Sequence, residues 1–305
     1  MRDVIQGSGV WNFFSKSISE AIDAVQDSIV AIHGGGGSTS SGVVWRSGVI
    51  VTVRNGLRRN EVVKVVHRGE PLNASVAGAD AGTDLAVLRV ESNSLKPVDT
   101  SGLESTRVGE FVLSVGRSML GDISASSGII ARLGNPWRTW RGGQIDSLIR
   151  PDVRLYVGQS GSALVNEHHR VLGINSPALA RNAIITVPTQ TIDRVVNAIL
   201  ERGHVPRPFL GVAMQAVPIP ETLRSQFAPG ADQVLLVLHV EPNAPAASGG
   251  VLVGDLILSL SGDPVHDVGD ALHRIASLSV GDSVSLVVIR GGARMELTLT
   301  VADRG

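Results

Sequence analysis

The sequence predicts a mostly β protein built from two units, and three observations lead to this fold class. Residues 28–185 break into short β-branched runs separated by Gly, Asn, Asp and Pro, which is typical of a barrel or sandwich. A helix-like segment stops at Gly203, and two prolines follow, which predicts a linker over residues 203–208. Residues 209–303 form a second run of strands interrupted by one helix, which indicates an α+β unit. A chain of 305 residues is long enough for both.

The N-terminal segment, residues 1–27, is predicted to contain an amphipathic helix. Over residues 13–29, apolar side chains recur at spacings of three and four, at Ile18, Ala21, Ile22, Val25 and Ile29. Ser17 followed by Glu20 has the pattern of a capping box at a helix start. We therefore expect this helix to pack on the body that follows it.

The strands of the first unit are predicted from its β-branched runs, which include Ser28–Ile32, Gly42–Trp45, Val49–Val53, Val62–His67, Leu85–Val90, Val112–Val115 and Val171–Ile174. A helix is predicted over Thr191–Glu201 because its apolar residues form one stripe. In the second unit the predicted strands are Leu235–Val240, Asp255–Ser261, Val284–Arg290 and Glu296–Val301, with a helix over Asp267–Ser277.

Composition excludes several classes of function. A net charge of −1 argues against a nucleic-acid binder, and the absence of cysteine removes disulfides, thiol nucleophiles and cysteine metal sites. The histidines and carboxylates show no metal-ligand motif, so we expect no metal and no cofactor. The sequence contains neither a signal-peptide-like apolar run nor a membrane span. These features predict a soluble chain that is cytoplasmic as written, or periplasmic if a targeting segment has been removed.

One segment carries the strongest functional signal. Residues 157–166 read Val-Gly-Gln-Ser-Gly-Ser-Ala-Leu-Val-Asn, which resembles the Gly-x-Ser-Gly-Gly-Pro-Leu-Val segment around the nucleophile of trypsin-like serine proteases. The run from Asp84 to Leu88 resembles the aspartate strand of that family. Where the family has Thr-x-x-His, this chain has Thr52-Val53-Arg54-Asn55, so that Asn55 occupies the position of the general base.

The second unit resembles a PDZ domain. The matching segments are Phe209-Leu210-Gly211-Val212, then residues 241–246, then residues 254–257. A trypsin-like domain over residues 28–202, which ends in a short helix, followed by one PDZ domain over residues 209–305, resembles the HtrA (DegP/DegS-like) family. The resemblance implies a double β-barrel, and a PDZ domain that captures peptide C-termini with the backbone N–H groups of its Phe209–Val212 loop.

The resemblance also assigns roles in the catalytic site. It makes Ser160 the nucleophile, Asp84 the residue that orients the base, and the N–H groups of Gly158 and Ser160 the oxyanion hole. Asn55 breaks this scheme because an amide is not basic near neutral pH and cannot shuttle a proton. Ser162 and Ala163 depart from the family's Gly-Pro, and the stretch 177–184 is shorter than the family's pocket loop.

Other histidines are poor substitutes for the missing base. His67 lies late in a strand that the family places away from the site, and His168 and His169 lie in the turn after the serine strand.

The sequence therefore favours a pseudoprotease that binds peptides or unfolded protein segments with little or no cleavage. Two alternatives remain open: an active serine endopeptidase of protein quality control, in which Asn55 is engineered or compensated, and a non-catalytic PDZ scaffold. The resemblance further implies a homotrimer held by N-terminal aromatic residues, and the aromatic cluster here consists of Trp11, Phe13 and Phe14.

Overall fold

The computed structural model describes residues 7–54, 57, 62–92, 95–100, 103–104, 106–219, 221–227 and 232–304. The chain forms two compact units, which divide between Val205 and Pro206.

The N-terminal helix α1 spans Gly7–Val25 and is longer than predicted. Ser17 lies inside it and donates its hydroxyl to the Phe13 carbonyl at 3.0 Å, so the predicted capping box is wrong. A serine within a helix satisfies its hydroxyl by bonding back to the preceding turn, and so it gives no reliable start signal. The predicted apolar face does pack on the barrel core, with Ala21 and Val25 fully covered.

The first barrel contains six antiparallel strands, all within the first half of the unit: β1 (Ile29–His33), β2 (Thr39–Arg46), β3 (Val49–Val53), β4 (Val62–His67), β5 (Glu70–Asp80) and β6 (Leu85–Val90). Their order is β1-β2-β3-β6-β5-β4, and pairing of β1 with β4 closes the barrel. Its interior is filled by aliphatic side chains such as Ile32, Ile50 and Leu88, as the low aromatic content requires.

The second barrel also contains six antiparallel strands: β7 (Phe111–Arg117), β8 (Ile123–Gly134), β11 (Leu148–Pro151), β12 (Ala163–Val165), β13 (Val171–Ser176) and β14 (Ile185–Pro188). Their order around the closed barrel is β11-β14-β13-β12-β7-β8. A small hairpin of β9 (Trp137–Arg138) and β10 (Gln144–Ile145) leaves the barrel after β8. Helix α2 (Thr189–Arg202) then ends at Gly203, whose φ of 79° favours glycine.

The second unit is a twisted antiparallel sheet with short helices. Its elements are β15 (Pro208–Phe209), β16 (Val212–Pro218), α3 (Glu221–Phe227), β17 (Gln233–Val240), α4 (Pro245–Ser248), β18 (Leu256–Leu260), β19 (Asp263–Pro264), α5 (Val268–Ser277), β20 (Ser283–Arg290), β21 (Ala293–Thr300) and β22 (Ala302–Asp303). The main sheet has the order β16-β17-β18-β20-β21. Asp267 caps α5 by accepting the Asp270 amide at 2.8 Å. The predicted mostly β fold is therefore confirmed, with two closed barrels and an α+β unit.

Candidate active site

The Ser160 loop connects β11 to β12 and depends on two glycines with left-handed backbone. Gly158 has φ of 91° and Gly161 has φ of 84°, a region that other residues adopt at a cost. The Gln159 amide donates to the Tyr156 carbonyl at 3.0 Å and closes a tight turn before the serine. The Ser160 side chain at the end of this turn is half-buried.

Hydrogen bonds from both barrels hold this loop. The Ser41 amide, in β2, donates to the Ser160 carbonyl at 2.8 Å, and the Gly161 amide donates to the Asn175 carbonyl, in β13, at 2.9 Å. By contrast, the amides of Gly158 and Ser160 donate to none of the residues that the structure describes. The oxyanion hole that the resemblance assigns to these two N–H groups therefore stays a prediction.

Ser41 is the residue that links the two barrels at this loop, and the sequence analysis did not single it out. Its fully buried hydroxyl donates to the Gly158 carbonyl at 2.8 Å and accepts the Arg117 amide at 2.7 Å. The Thr52 hydroxyl in β3 donates in turn to the Ser41 carbonyl at 2.6 Å. The only sequence signal was a serine pair directly before an apolar strand.

Asp84 lies in the turn before β6, with a φ of 58° that aspartate and asparagine tolerate better than most residues. Its buried carboxylate accepts the Ser176 hydroxyl at 2.6 Å, and its carbonyl accepts the Arg54 amide at 2.8 Å. Burial raises the pKa of Asp84, while the Ser176 hydrogen bond and the positive charges of Arg141 and Arg54 act in the opposite direction.

Ser176 gives Asp84 its link to the second barrel. It ends β13, and its hydroxyl also accepts the Ala178 amide at 3.1 Å, which fixes the hydroxyl toward the carboxylate. The sequence analysis assigned no role to this residue. Its contact with Asp84 spans 92 positions of the chain, so only the folded structure reveals it.

Asn55 lies outside the residues that the structure describes, so its side chain is not placed here. The chain directly before it is fixed, because Val53 ends β3 and the Arg54 amide is bonded to the Asp84 carbonyl. The structure thus places Ser160 and Asp84 on segments that are each hydrogen-bonded across the junction of the two barrels. The assignment of Asn55 to the base position stays a prediction.

The two departures from the family motif have different environments. Ser162 is fully buried, and its hydroxyl lies 2.9 Å from the Ser114 hydroxyl and accepts the Asn175 amide group at 3.1 Å. Asn175 is held in turn by the Thr186 hydroxyl at 2.7 Å. Ala163 is buried in β12 among aliphatic side chains. Ser162 therefore belongs to a buried network of hydrogen-bonded polar side chains next to the Ser160 loop.

The histidines considered as substitutes have other contacts. The ring of His67 lies 2.9 Å from the Asp27 carbonyl, and His168 is exposed beside Glu167. His169 is in the turn after β12, with φ of 60°. Among the described residues no cluster of His, Asp and Glu forms a metal site.

The predicted peptide loop of the second unit lies between β15 and β16. Gly211 has φ of 81°, and a Cβ there would overlap the Ala244 side chain, so only glycine fits. The Gly211 and Leu210 carbonyls accept amides from Glu241 and Ala246, both at 2.8 Å. These bonds fix the loop with its carbonyls turned into the domain.

The strand after this loop has one open edge. Within the part of the chain that the structure describes, β16 pairs only with β17, and helix α5 lies beside it. Leu210, Val212 and Met214 share an apolar lining with Ala271 and Ile275 of α5. The second unit therefore offers a strand edge next to an apolar helix face.

Comparison with known proteins decides the family. A family model for a trypsin-like peptidase domain matches residues 40–174, and one for a PDZ domain matches residues 208–301. The serine protease Do-like HtrA of Lactobacillus helveticus is 32% identical over 283 residues, which cover 85% of this chain and 67% of that protein. The chain belongs to the HtrA family.

Other HtrA relatives agree with this assignment. A probable periplasmic serine endoprotease, DegP-like, of Pseudomonas putida (strain GB-1) is 34% identical over 245 residues, or 79% of this chain and 50% of the relative. The chain thus spans about half the length of several curated relatives that it matches.

The solved structures of HtrA proteins show the same fold. The HtrA-type protease AlgW with tripeptide has a TM-score of 0.68 at 27% identity, covering 94% of this chain and 97% of that one. The serine endoprotease from Yersinia pestis has a TM-score of 0.73 at 23% identity, covering 94% and 98%. The predicted trypsin-like double barrel and the PDZ domain are both confirmed. Across the described residues, no helix is both long and apolar enough to cross a membrane.

Proposed function

We propose that this HtrA-family protein is a pseudoprotease, which binds peptides or unfolded protein segments with little or no cleavage. One combination supports the proposal: the resemblance puts Asn55 at the base position, while the Ser160 loop and Asp84 have supporting hydrogen bonds. The proposal takes residues 28–202 as the protease domain, 203–208 as the linker and 209–305 as the PDZ domain.

The missing base accounts for the loss of turnover. A serine hydroxyl is a weak nucleophile until a neighbouring imidazole removes its proton, and the same imidazole later protonates the leaving amine. The amide of Asn55 performs neither step. Removing the base of such a triad costs on the order of 10⁶ in turnover.

Binding does not depend on the base. In our assignment the amides of Gly158 and Ser160 hold a substrate carbonyl, and Ser41 maintains the loop through the Gly158 carbonyl. A peptide held in this way meets a hydroxyl that is not activated, and so it dissociates intact.

The PDZ domain supplies a second peptide site in this proposal. A peptide C-terminus adds as a strand to the open edge of β16, with its carboxylate at the amides of the Phe209-Leu210-Gly211-Val212 loop. The apolar lining from α5 then receives its last side chain. The AlgW structure with tripeptide, from the same family, supports this assignment.

The test is a proteolysis assay with casein or an unfolded substrate, together with a fluorophosphonate probe. We expect no measurable turnover and poor labelling of Ser160, because both reactions need an activated hydroxyl. Robust cleavage that disappears in Ser160→Ala would refute the pseudoprotease and establish the alternative, an active endopeptidase. That alternative is favoured by the retained contact between Asp84 and Ser176.

Deletion of the PDZ domain distinguishes the scaffold alternative from the proposed pseudoprotease. If the barrels are inert, removing residues 205–305 abolishes all peptide binding. If the barrels bind peptide as proposed, the remaining protease domain keeps affinity for an internal unfolded segment.

We also propose a homotrimer that functions outside the cytoplasm. The relatives named DegP-like are described as periplasmic, and none of these names supports a cytoplasmic location. Trp11 and Phe13 on α1 are 73% and 74% exposed, while Phe14 makes an edge contact with Phe111 of its own barrel. Exposed aromatic side chains at one end of a chain are favoured interface groups.

A further inference from the structure

An open cleft of about 700 Å³ lies on the second barrel. Its walls come from β8, from β11 with the segment that follows it, and from the stretch 177–184. Three arginines line it, Arg132, Arg150 and Arg154, against one carboxylate, Asp152. The cleft therefore carries an excess of positive charge in a chain whose net charge is −1.

The strand register places two of these arginines directly opposite each other. Arg150 of β11 pairs with Arg132 of β8, so their side chains leave the same face of the sheet. Like charges directly opposite in an antiparallel pair destabilise the sheet. Folding alone does not favour this arrangement, whereas an anion between the two side chains relieves the repulsion.

The positive charges are not neutralised within the described chain. None of the three arginines forms an ion pair with a described residue, and the guanidinium of Arg154 instead lies 5.5 Å from the centre of the Tyr156 ring. Elsewhere in the same domain arginines do find carboxylates, as Arg46 does with Asp193 and Arg194 with Asp146. The cleft thus presents cations that remain available to a ligand.

The cleft adjoins the segments that carry the proposed catalytic site. Leu155 in its wall precedes Tyr156, whose carbonyl closes the turn before Ser160. Pro177 in the opposite wall directly follows Ser176, the partner of Asp84. The walls of the cleft are therefore continuous in sequence with the two segments that carry the proposed catalytic site.

We propose that this cleft binds the carboxylate side chains of an acidic peptide segment and so selects acidic ligands for the barrel site. The inference rests on the proposed peptide binding at Ser160 and names the class of peptide. Arginine suits this role because its planar guanidinium forms two parallel hydrogen bonds with one carboxylate. Ile184 in the wall formed by the stretch 177–184 is partly exposed and provides apolar contact for the stem of a glutamate.

The experiment compares two short peptides by fluorescence anisotropy with the full chain. They are identical except that the glutamates of one are glutamines in the other, and both have amidated C-termini, which removes the carboxylate that a PDZ loop captures. The protein variants are Arg132→Gln/Arg150→Gln and a charge-matched control, Arg107→Gln/Arg170→Gln. Both control arginines are exposed and lie outside the cleft.

We expect the wild-type chain to bind the acidic peptide about tenfold more tightly, since charge-assisted hydrogen bonds contribute on that scale. The preference disappears in the cleft variant, persists in the control, and weakens with added salt. Affinity for the glutamine peptide stays unchanged in all three proteins.

Four outcomes would overturn the inference. Equal binding of both peptides to the wild type would refute the acidic preference of the cleft. So would a loss of that preference in the control variant as large as in the cleft variant. Both outcomes leave peptide binding at Ser160 intact. Absence of binding by either peptide refutes the proposed barrel function as well. Thermal stabilisation of the wild type by low concentrations of succinate, lost in the cleft variant and unaccompanied by a peptide preference, assigns the cleft to a small free dianion.

Discussion

Replacing Ser41 by alanine tests how the serine loop is held. The Ser41 hydroxyl is fully buried, donates to the Gly158 carbonyl and accepts the Arg117 amide. Alanine fits the same space but lacks the hydroxyl, so the Gly158 carbonyl and the Arg117 amide both lose their hydrogen-bond partner. A buried backbone group left without its partner costs about 1–3 kcal/mol, so we expect Ser41→Ala to lower the free energy of unfolding by about 2–4 kcal/mol.

The neighbouring serine is a matched control. Ser40 is also buried, but its hydroxyl makes a longer contact of 3.3 Å with the Thr52 hydroxyl. Thr52 keeps its stronger bond to the Ser41 carbonyl when Ser40 is truncated. We therefore expect Ser40→Ala to cost less than about 1 kcal/mol.

Urea unfolding followed by tryptophan fluorescence measures this difference. All four tryptophans precede residue 205, so the signal reports the protease domain and not the PDZ domain. Protein concentration is held fixed because assembly would add to the apparent stability. Hydrogen exchange of residues 157–161 should also accelerate in Ser41→Ala. Equal losses in the two variants, with exchange of this loop unchanged, would refute the role given to Ser41.

Three further predictions follow from the site and the N-terminal helix. Asn55→His should restore measurable casein cleavage that Ser160→Ala abolishes, because both partners of the imidazole are retained; a folded variant inert to substrate and probe would place a second defect in the loop. Asp84→Asn should raise the free energy of unfolding at neutral pH, because burial raises the pKa of Asp84 and its ionised form opposes folding; the advantage should vanish as pH falls below the ordinary aspartate pKa, and an advantage independent of pH would contradict this cause. Light scattering should give a trimer mass that Trp11→Ala with Phe13→Ala reduces, because these two side chains are exposed and make no core contact among the described residues; a wild-type monomer would reject the assembly, and an unaffected trimer would place its interface elsewhere.

Sequence patterns were sufficient to predict helices and strands where the local signals agree with the fold. Strand β3 coincides with its predicted run Val49–Val53, which is a continuous β-branched run. Helix α5 lies within the predicted helix Asp267–Ser277, because its apolar period and its capping aspartate agree. The start of α1 was not predicted because its first turn contains Gly7 and Gly9, and glycine is a weak helix former. The small residues of β8 likewise carry no clear strand pattern.

The residues of the candidate site also fall into two groups, those in local motifs and those with distant partners. Ser160, Asp84 and Asn55 are found by local motifs, since a nucleophile needs its glycines and its turn in sequence. Ser41 and Ser176 are invisible at that level, because each acts on a partner more than 90 positions away. The opposition of Arg132 and Arg150 requires the strand register, which a pattern of alternating residues does not fix.

The supporting contacts argue for retained binding more directly than the motif does. A site without any function does not require the buried Ser41 hydroxyl that holds Gly158. Nor does it require Ser176 to hold the Asp84 carboxylate, whose burial costs stability. Both contacts hold the serine loop and the aspartate in place between the two barrels. Together with an asparagine at the position that the resemblance assigns to the base, they form the combination that we expect of a protein that binds a peptide carbonyl without activating an attack on it.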